Sequence, residues 1–345
     1  MKAELTVNLG IIKDNYSYLQ SVAKSKVGAA IKSDAYGLGA KNVTPALFEA
    51  GCRDFFVAHI EEGIDARNHL LSLEANIYVL NGFQIGAENI FAEYNLIPAL
   101  SNLSQIEIWN KLEKKGKSII HFDTGMNRLG LSKECLASLK ALPEGTEYII
   151  SHLACDGDIT NPYNKSQLDE FIKYTAAHKV KQSLAASGGI FLGPEYHFDM
   201  VRPGAALYGI GSDKNPNLKN PITLTAQIIH IKHCNDDVSV GYDRTGYVKA
   251  GSTLATIALG YADGFFRSLG NRGFIFINGI KVPIIGTLSM DLTVLDVTGV
   301  NCNIGDEVEI IGPNNTPDQI AHITNTIGYE VTTSLKAGRY NRLFI

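Results

Sequence analysis

A lysine follows the first apolar run of the sequence, at the point where that run ends in a turn. The run Val27–Ile31 precedes Lys32, and Gly37 and Gly39 follow it. A lysine that is partly desolvated at the end of a strand can have a lowered pKa, and its neutral amine can form a Schiff base with a carbonyl compound. The alternative is an ordinary solvated lysine in a loop, since a Ser-Asp pair comes directly after it.

Other residues capable of chemistry recur where later apolar runs end. They are Arg128, His152, Ser187 with the glycine pair after it, and Arg202. Alone, each has an ordinary interpretation as a salt-bridged arginine, a core histidine or a turn. Together they place one amine, two fixed cations, one imidazole and phosphate-binding backbone N–H groups around one opening, which packing alone does not require.

The elements that must position these residues alternate between short apolar runs and helix-sized stretches, which is typical of repeated βα units. Eight runs are candidate strands: Val27–Ile31, Phe55–Ala58, Ile77–Leu80, Leu96–Leu100, Ser118–Phe122, Glu147–Ser151, Gln182–Ala186 and Gly204–Leu207. Eight strands predict an α/β protein with a TIM (β/α)8 barrel, whose active site forms at the carboxyl ends of the strands. An open doubly wound sheet is the alternative, because periodicity does not show closure.

The pattern of the sequence changes after a polar segment rich in asparagine and proline, Gly211–Pro221. Beyond it, β-prone runs are closely spaced, which predicts a smaller, mostly β C-terminal domain. These runs are Thr223–Lys232, Thr253–Leu259, Phe274–Ile277, Lys281–Ile284, Thr293–Val297 and Glu307–Ile311. We therefore expect the barrel over residues 1–215 and the β domain over residues 216–345.

Three local signals are specific enough to test. Asn278-Gly279 predicts a hairpin turn between two of the β-prone runs. Thr316-Pro317-Asp318-Gln319 predicts the capped start of a helix that runs through His322. The spacing of Ile12, Tyr16, Leu19 and Ala23 is that of one face of a helix.

Composition excludes several classes of function. The 345 residues carry 31 Lys and Arg against 35 Asp and Glu, a formal net charge of −4, which offers no basic surface for nucleic acid. The five cysteines show no Cys-x-x-Cys spacing, so we expect neither disulfides nor a metal site. The amino terminus lacks a signal-peptide pattern and no apolar run is long enough to span a bilayer. We expect a soluble, cytoplasmic protein with no membrane partner.

Five blocks of the sequence, in order, resemble the alanine racemases, which are pyridoxal-phosphate enzymes with a barrel followed by a β domain. The resemblance spans nearly the whole chain. The blocks are Lys32–Gly39, Asp123–Gly130, Arg202–Gly209, Gly260–Gly264 and Ser289–Asp291.

The resemblance implies a catalytic pair. Lys32 would hold pyridoxal 5'-phosphate covalently and act as the base on one face of the bound amino acid, and Tyr261 would be the base on the other face. A phenol needs a cationic or hydrogen-bonding neighbour to become sufficiently basic, and His152, supported by Arg202, is the candidate. Arg202 would also meet the pyridine nitrogen, which must then be unprotonated because a guanidinium only donates.

The resemblance also implies binding roles and a partner. Tyr36, Ser187, Gly204 and Ala205 are similar to the phosphate-binding set. Arg128, Met290 and Asp291 would lie around the substrate. Because one subunit's β domain completes the other subunit's site in this family, we expect a homodimer with shared active sites.

Two departures from the family pattern affect the site. Many members carry a carbamylated lysine where this sequence has His121, so either an anion or a different side chain holds Arg128 here, or Arg128 is positioned less tightly. The segment 332–342 also diverges: Ala337 or Gly338 stands where a phosphate-contacting tyrosine is usual, and Tyr340 is a candidate substitute.

The function that the resemblance implies is racemisation of alanine, which supplies D-alanine for bacterial cell-wall synthesis. Because the diverged segment can change the room around the substrate side chain, a broader or serine-specific racemase is an alternative. A related decarboxylase is less compatible, because that class usually sets a carboxylate where Arg202 stands. A non-catalytic carrier of pyridoxal phosphate is the alternative from another class, and Tyr261 on an added domain argues against it.

Overall fold

The computed structural model describes residues 2–70, 74–113, 115–139, 141–335 and 338–345. The chain forms two compact units. One comprises Ile12–Leu207, and the other comprises the residues up to Ile11 together with Tyr208–Ile345.

The first unit is a barrel of parallel strands alternating with helices. Its strands are β2 (Lys26–Val27), β3 (Ala29–Ala30), β4 (Asp54–Val57), β5 (Asn76–Val79), β6 (Leu96–Leu100), β7 (Ser118–His121), β8 (Thr146–Ile150), β9 (Lys181–Ser183) and β10 (Met200–Val201). The helical segments are α1 (Leu9–Val22), α2 (Lys32–Tyr36), α3 (Ala40–Glu49), α4 (Ile60–Leu70), α5 (Glu88–Glu93), α6 (Leu103–Lys111), α7 (Lys133–Ser138) and α8 (Tyr163–Thr175).

The barrel closes through its last strand. Strands β3 to β9 form one parallel sheet in sequence order, and β10 pairs in parallel with β2, which leads directly into β3. On its other side β10 joins the end of β9, since the N–H of Asp199 donates to Gln182 (3.0 Å) and that of Arg202 to Ala185 (2.9 Å). Counting β2 and β3 as one interrupted strand gives eight, which confirms the TIM-type barrel over the open sheet.

Burial explains why the strands read as continuous apolar runs. All residues of β4 and β6 are buried, as parallel strands covered on both faces require. Inside the barrel, Phe56 stacks on Tyr78 with ring centroids 4.7 Å apart. The interior is a packed core that holds the strand ends in place.

One predicted barrel strand is wrong. Gly204–Leu207 was expected as the eighth strand, but Ala205–Tyr208 is a 3-10 helix and the strand is the preceding Met200–Val201. Pro203 has no N–H for a ladder, and the N–H of Gly204 donates to the side chain of Ser187.

The second unit is mostly β, as predicted. Its strands are β1 (Glu4–Val7), β11 (Ile222–His233), β12 (Val238–Val240), β13 (Gly246–Val248), β14 (Thr253–Ile257), β15 (Phe274–Ile277), β16 (Ile280–Pro283), β17 (Thr293–Asp296), β18 (Glu307–Ile311) and β19 (Asn341–Phe344). The main sheet has the order β16-β15-β18-β11-β1-β19, and β14 joins β11 to β17.

The amino-terminal strand belongs to this second unit, whereas the sequence placed residues 1–215 in the barrel. Strand β1 pairs antiparallel with β11 and parallel with β19. These partners lie more than 200 residues away along the chain, so local sequence patterns do not reveal the pairing.

The hairpin and the capped helix are confirmed. Strands β15 and β16 pair across Asn278 and Gly279, whose φ angles are 51° and 75°. Helix α9 (Pro317–Thr324) begins after Thr316, whose side chain accepts from the Gln319 N–H in a capping box. A further helix, α10 (Gly328–Ser334), was not predicted.

None of the helices in the described part of the chain has the length and apolar character needed to cross a bilayer. The five cysteines, all within the described residues, are free thiols.

Candidate active site

Lys32 lies where the first barrel strand ends, and the chain after it turns left-handed. Ser33, Asp34, Ala35 and Tyr36 have φ angles of 55°, 55°, 53° and 57°. Left-handed helical conformation costs an L-residue roughly 1–2 kcal/mol, so four such residues store roughly 4–8 kcal/mol. Strain of this kind persists only where surrounding contacts enforce it, and it is common at functional sites.

Backbone and side-chain hydrogen bonds enforce the turn. The N–H of Gly37 donates to Ser33 (2.8 Å), and that of Gly39 donates to Asp34 (2.9 Å). The Asp34 carboxylate then accepts the N–H of Ala40, the first residue of α3, at 2.7 Å. Gly37 and Gly39 themselves have φ angles of 85° and 101°, which glycine adopts without penalty.

The environment of Lys32 favours a neutral amine. Burial, and secondly the guanidinium of Arg128, lower the pKa of Lys32, while the Glu62 carboxylate opposes them. Lys32 is half-buried, and no carboxylate within the described residues forms an ion pair with it. The sequence-based expectation of a desolvated amine at the strand end agrees with this placement.

Arg202 is buried beside the barrel core. It is 7% exposed, and its guanidinium donates to the hydroxyl of Ser183 and to the carbonyl of Ser151 (2.6 Å). Burial lowers the pKa of Arg202 to about 10, and the group is still charged at neutral pH. Because it forms no ion pair with a carboxylate in the described residues, its charge is stabilised by neutral oxygens alone.

Two histidines near these cations are kept neutral. Burial, followed by the charges of Arg202 and Arg128, lowers the pKa of His152 to about 3. For His121, burial and Arg202 lower the pKa to about 4, although Asp123 opposes them. Neutral imidazoles can accept a hydrogen bond, which an imidazolium cannot.

Arg128 is exposed on a tightly closed loop. The N–H of Leu131 donates to the carbonyl of His121 (2.8 Å), so the loop returns to the end of β7. Inside it, the Asp123 carboxylate accepts the N–H groups of Gly125 (3.0 Å) and Asn127 (3.1 Å). These bonds fix the backbone that presents the guanidinium to the mouth of the barrel.

A cradle of hydroxyl and N–H groups lies between Ser187, Tyr36 and the turn after β10. The Ser187 hydroxyl oxygen accepts from the N–H of Gly204 (2.9 Å) and of Ala206 (3.1 Å). A Cβ on Gly204 would lie only 2.7 Å from Tyr36 Cζ, so the tyrosine reaches its position because residue 204 is glycine. Within the described residues the Ala205 N–H has no acceptor, which leaves a donor at the same place.

The other predicted residues lie in the C-terminal unit. Tyr261 and Met290 are 39% and 55% exposed, and the N–H of Tyr261 donates to the carbonyl of Ser289 (3.2 Å). Arg339 links the neighbouring acids, because it donates to Asp263 (2.6 Å) and to Asp291 (2.7 Å). Tyr261, Met290 and Asp291 therefore belong to one unit, and the eight barrel residues predicted with them belong to the other.

The diverged C-terminal segment lies beside Tyr261. Thr333 and Ser334, with residues of the 264–267 turn, line a cavity of about 310 Å³ that Tyr261 also lines. The Tyr340 hydroxyl, the candidate substitute for a phosphate contact, is buried and donates to the carbonyl of Asp263. Gly338 lies in an open position with a φ angle of 83°, and Ala337 lies outside the described residues.

Some residues that shape the site were not predicted. Glu62 accepts one backbone N–H in the Lys32 turn and two in the connection between β4 and α4, Ala206 donates to Ser187, and Arg339 binds both acids near Tyr261. For Glu62 the available signal was its place in the first turn of the helix after a buried strand, where a carboxylate is favourable.

The fold defines a two-domain barrel protein, with most of its candidate site residues at the carboxyl ends of the barrel strands. Within that class, the chain belongs to the alanine racemase family. Residues 7–212 match the family model "Alanine racemase, N-terminal domain", and residues 221–344 match "Alanine racemase, C-terminal domain".

Individual relatives agree over their whole lengths. The chain is 50% identical to the alanine racemase of Rickettsia canadensis over 355 aligned positions, covering 99% of this chain and 98% of that protein. It is 51% identical to that of Rickettsia peacockii, covering 98% of each. A crystal structure of alanine racemase from Bartonella henselae with covalently bound pyridoxal phosphate has a TM-score of 0.95, 41% identity and 100% coverage of both chains. The biosynthetic alanine racemase from Pseudomonas aeruginosa has a TM-score of 0.93 at 29% identity, covering 100% of this chain and 99% of that one.

Proposed function

We propose that this chain interconverts L-alanine and D-alanine, using pyridoxal 5'-phosphate bound to Lys32 and two proton-transferring residues. The observation that carries the proposal is the charge pattern at the barrel mouth. A half-buried lysine and two arginines lie near neutral histidines and a hydroxyl and N–H cradle, and no carboxylate among the described residues is ion-paired to these cations. Such a site favours a dianionic ligand that also carries an aldehyde.

The residues present fit the cofactor. Its phosphate would be held by Tyr36, Ser187, Gly204 and Ala205, where the missing Cβ of Gly204 makes the room. Arg202 would donate to the pyridine nitrogen, and that nitrogen would then be unprotonated. His152 lies near Arg202 as a neutral imidazole and would contact the ring.

The cofactor, when bound, supplies an electron-withdrawing system that makes the α-hydrogen of the amino acid acidic. The chain's own residues then move the proton. Lys32 Nζ takes or returns the proton at Cα on one face, and the hydroxyl of Tyr261 does so on the other. Because the two bases act on opposite faces, a proton removed on one side can be replaced on the other, which inverts the stereocentre.

A second copy of the chain would provide Tyr261. The exposure of Tyr261 and Met290 supports this arrangement, because both side chains are available to another molecule. Met290 and Asp291 would come with Tyr261 to the substrate, and Arg128 would bind the substrate carboxylate from the barrel side. A homodimer would thus be part of the catalytic machinery, in keeping with the frequency of two-fold symmetric enzymes.

The diverged segment gives a reason to test the substrate directly. Thr333 and Ser334 line the cavity beside Tyr261, so this segment can change which side chain fits. Racemisation of L-Ala, L-Ser, L-Arg and L-Lys by the purified protein is the test. We expect the largest kcat/KM for alanine, and a larger value for another amino acid would replace alanine as the substrate.

Two variants test the mechanism. Lys32→Ala should lose the covalent link to the cofactor, which borohydride reduction followed by mass spectrometry detects. Tyr261→Phe should keep the cofactor absorbance and lose most racemisation, because one proton donor is missing. An adduct on another lysine, or unchanged turnover of Tyr261→Phe, would contradict the two-base assignment.

A further inference from the structure

One carboxylate outside the predicted site connects the Lys32 turn to the neighbouring strand. Glu62 lies in the first turn of α4, directly after β4. Its Oε2 accepts the N–H groups of Ala58 (2.7 Å) and His59 (3.1 Å), and its Oε1 accepts the N–H of Ser33 (2.6 Å). Bonds from N–H groups to a carboxylate are stronger than bonds between neutral groups.

These bonds fix the chain on the second side of Lys32. On the first side, the N–H of Ile31 donates to the carbonyl of Phe56 on β4 (2.9 Å). On the second side, Ser33 is the first residue with a left-handed φ angle, and its N–H is held by Glu62. The backbone before Lys32 is thus hydrogen-bonded to β4, and the backbone after it is hydrogen-bonded to Glu62 at the start of α4.

The hydrogen bond from Ser33 to Glu62 matters because the turn that it holds is strained. Four consecutive residues after Lys32 hold a conformation that L-residues avoid, and the first of them is the one that Glu62 binds. Without an acceptor at Ser33, the turn can relax toward ordinary backbone angles. The Cα–Cβ direction of Lys32 would change with it, and small displacements of a reacting group reduce rate steeply.

We propose that Glu62 is a positioning residue for Lys32. Its carboxylate accepts backbone N–H groups, and it acts by holding the Ser33 N–H so that the left-handed turn aims the lysine amine. Its negative charge has a second effect, since it favours the protonated form of Lys32 against burial and Arg128. The inference rests on the proposed role of Lys32 in binding the cofactor.

Glu62→Gln tests the positioning role, with Glu61→Gln as its matched control on the same helical turn. A glutamine amide keeps the size of the side chain, but only its oxygen accepts, so it cannot bind both Ser33 and the Ala58–His59 pair. Glu61 is exposed and forms none of these bonds. We expect amide hydrogen exchange of the apoprotein over residues 31–39 to accelerate about tenfold or more in Glu62→Gln and to stay unchanged in Glu61→Gln.

Two further measurements separate positioning from a merely structural role. In the loaded enzyme, kcat of Glu62→Gln should fall about tenfold or more with little change in KM. In the apoprotein, the pH profile for modification of Lys32 by an amine reagent, followed by mass spectrometry, should shift to lower pH, because a negative charge is gone. Unchanged exchange, or faster exchange with unchanged kcat and pH profile, would overturn the proposal.

Failure of the Glu62 proposal can be told apart from failure of the cofactor assignment to Lys32. If borohydride traps the cofactor on a residue other than Lys32 in the unmodified protein, the cofactor assignment fails while the exchange experiment still reports on the turn. If Glu62→Gln does not fold, Glu62→Asp replaces it. The shorter carboxylate keeps the charge yet cannot span the three N–H groups, so exchange should rise without the shift in the Lys32 pH profile.

Discussion

Replacing Gly204 by alanine should weaken cofactor binding while leaving the barrel folded. Residue 204 does not have a left-handed φ angle, so an alanine there meets no backbone penalty. The obstacle is Tyr36, because the new Cβ would lie 2.7 Å from its Cζ. The hydroxyl oxygen of Tyr36 would lie nearer still, so relief to a separation of at least 3.4 Å requires the tyrosine to retreat by more than about 0.7 Å, the difference between the two Cζ values.

The size of the effect follows from that retreat. A hydrogen bond of about 2.8 Å between the Tyr36 hydroxyl and a phosphate oxygen would lengthen to at least about 3.5 Å, beyond useful range. A hydrogen bond to a charged group contributes about 1.5–3 kcal/mol, which corresponds to roughly 10- to 150-fold in affinity. Removing a glycine also restricts the unfolded chain, which stabilises the fold by about 0.4–1 kcal/mol where no clash opposes it.

Titration of the apoprotein with pyridoxal 5'-phosphate, followed by absorbance, measures the affinity, and thermal unfolding measures the fold. The matched control is Gly116→Ala, where an added Cβ would meet nothing within 4 Å. We expect weaker binding only for Gly204→Ala, with an unfolding midpoint close to that of the unmodified apoprotein. If Gly204→Ala bound the cofactor as tightly as the control, Tyr36 would not be part of the phosphate cradle.

Two further predictions concern the pKa of His121 and the strained turn. Burial lowers the pKa of His121 to about 4 from an unfolded value of 6.5. As the pH falls, the unfolded chain therefore binds the proton before the folded chain does. The apoprotein should lose about 2 kcal/mol of stability from this residue between pH 7 and pH 5. Between the same pH values, the free energy of unfolding of His121→Gln in urea should fall by about 2 kcal/mol less than that of the unmodified protein. If the two proteins lost the same amount, His121 would not be a buried neutral imidazole. Ser33→Gly should raise the free energy of unfolding by up to about 1 kcal/mol, because relief of about 1–2 kcal/mol exceeds the entropic disadvantage of glycine. A lower unfolding midpoint would show that Ser33 is not strained.

The sequence predicts the barrel because its evidence is local. Buried parallel strands are short apolar runs at regular spacing, and seven of the eight runs coincide with strands to within a few residues. The capping box at Thr316 and the Asn278-Gly279 turn are likewise complete within a few residues. The rim residues were found for the same reason, since the carboxyl end of each strand is marked by the change from apolar to polar residues.

Non-local interactions account for what the sequence did not predict. Strand β1 is defined by partners at the other end of the chain, and Gly204–Leu207 has the apolar character of a strand while its backbone is directed by the Ser187 side chain. The left-handed turn after Lys32 is the clearest case. None of the residues 33–36 is a glycine, so propensity gives no indication of it, and the conformation depends on an acceptor, Glu62, 29 positions away.

At the barrel mouth a buried guanidinium is held without a carboxylate partner in the described residues. A buried guanidinium is normally paired with a carboxylate, and a carboxylate at Arg202 would compete with the pyridine nitrogen that we propose Arg202 binds. Here the charge of Arg202 is stabilised by the carbonyl of Ser151 and the hydroxyl of Ser183, while burial, and secondly that charge, lower the pKa of His121 and His152 and keep both neutral. On the proposed function, the charge of Arg202 therefore stays available to an anionic cofactor, and the cost of desolvating the arginine falls on the folding free energy rather than on cofactor binding.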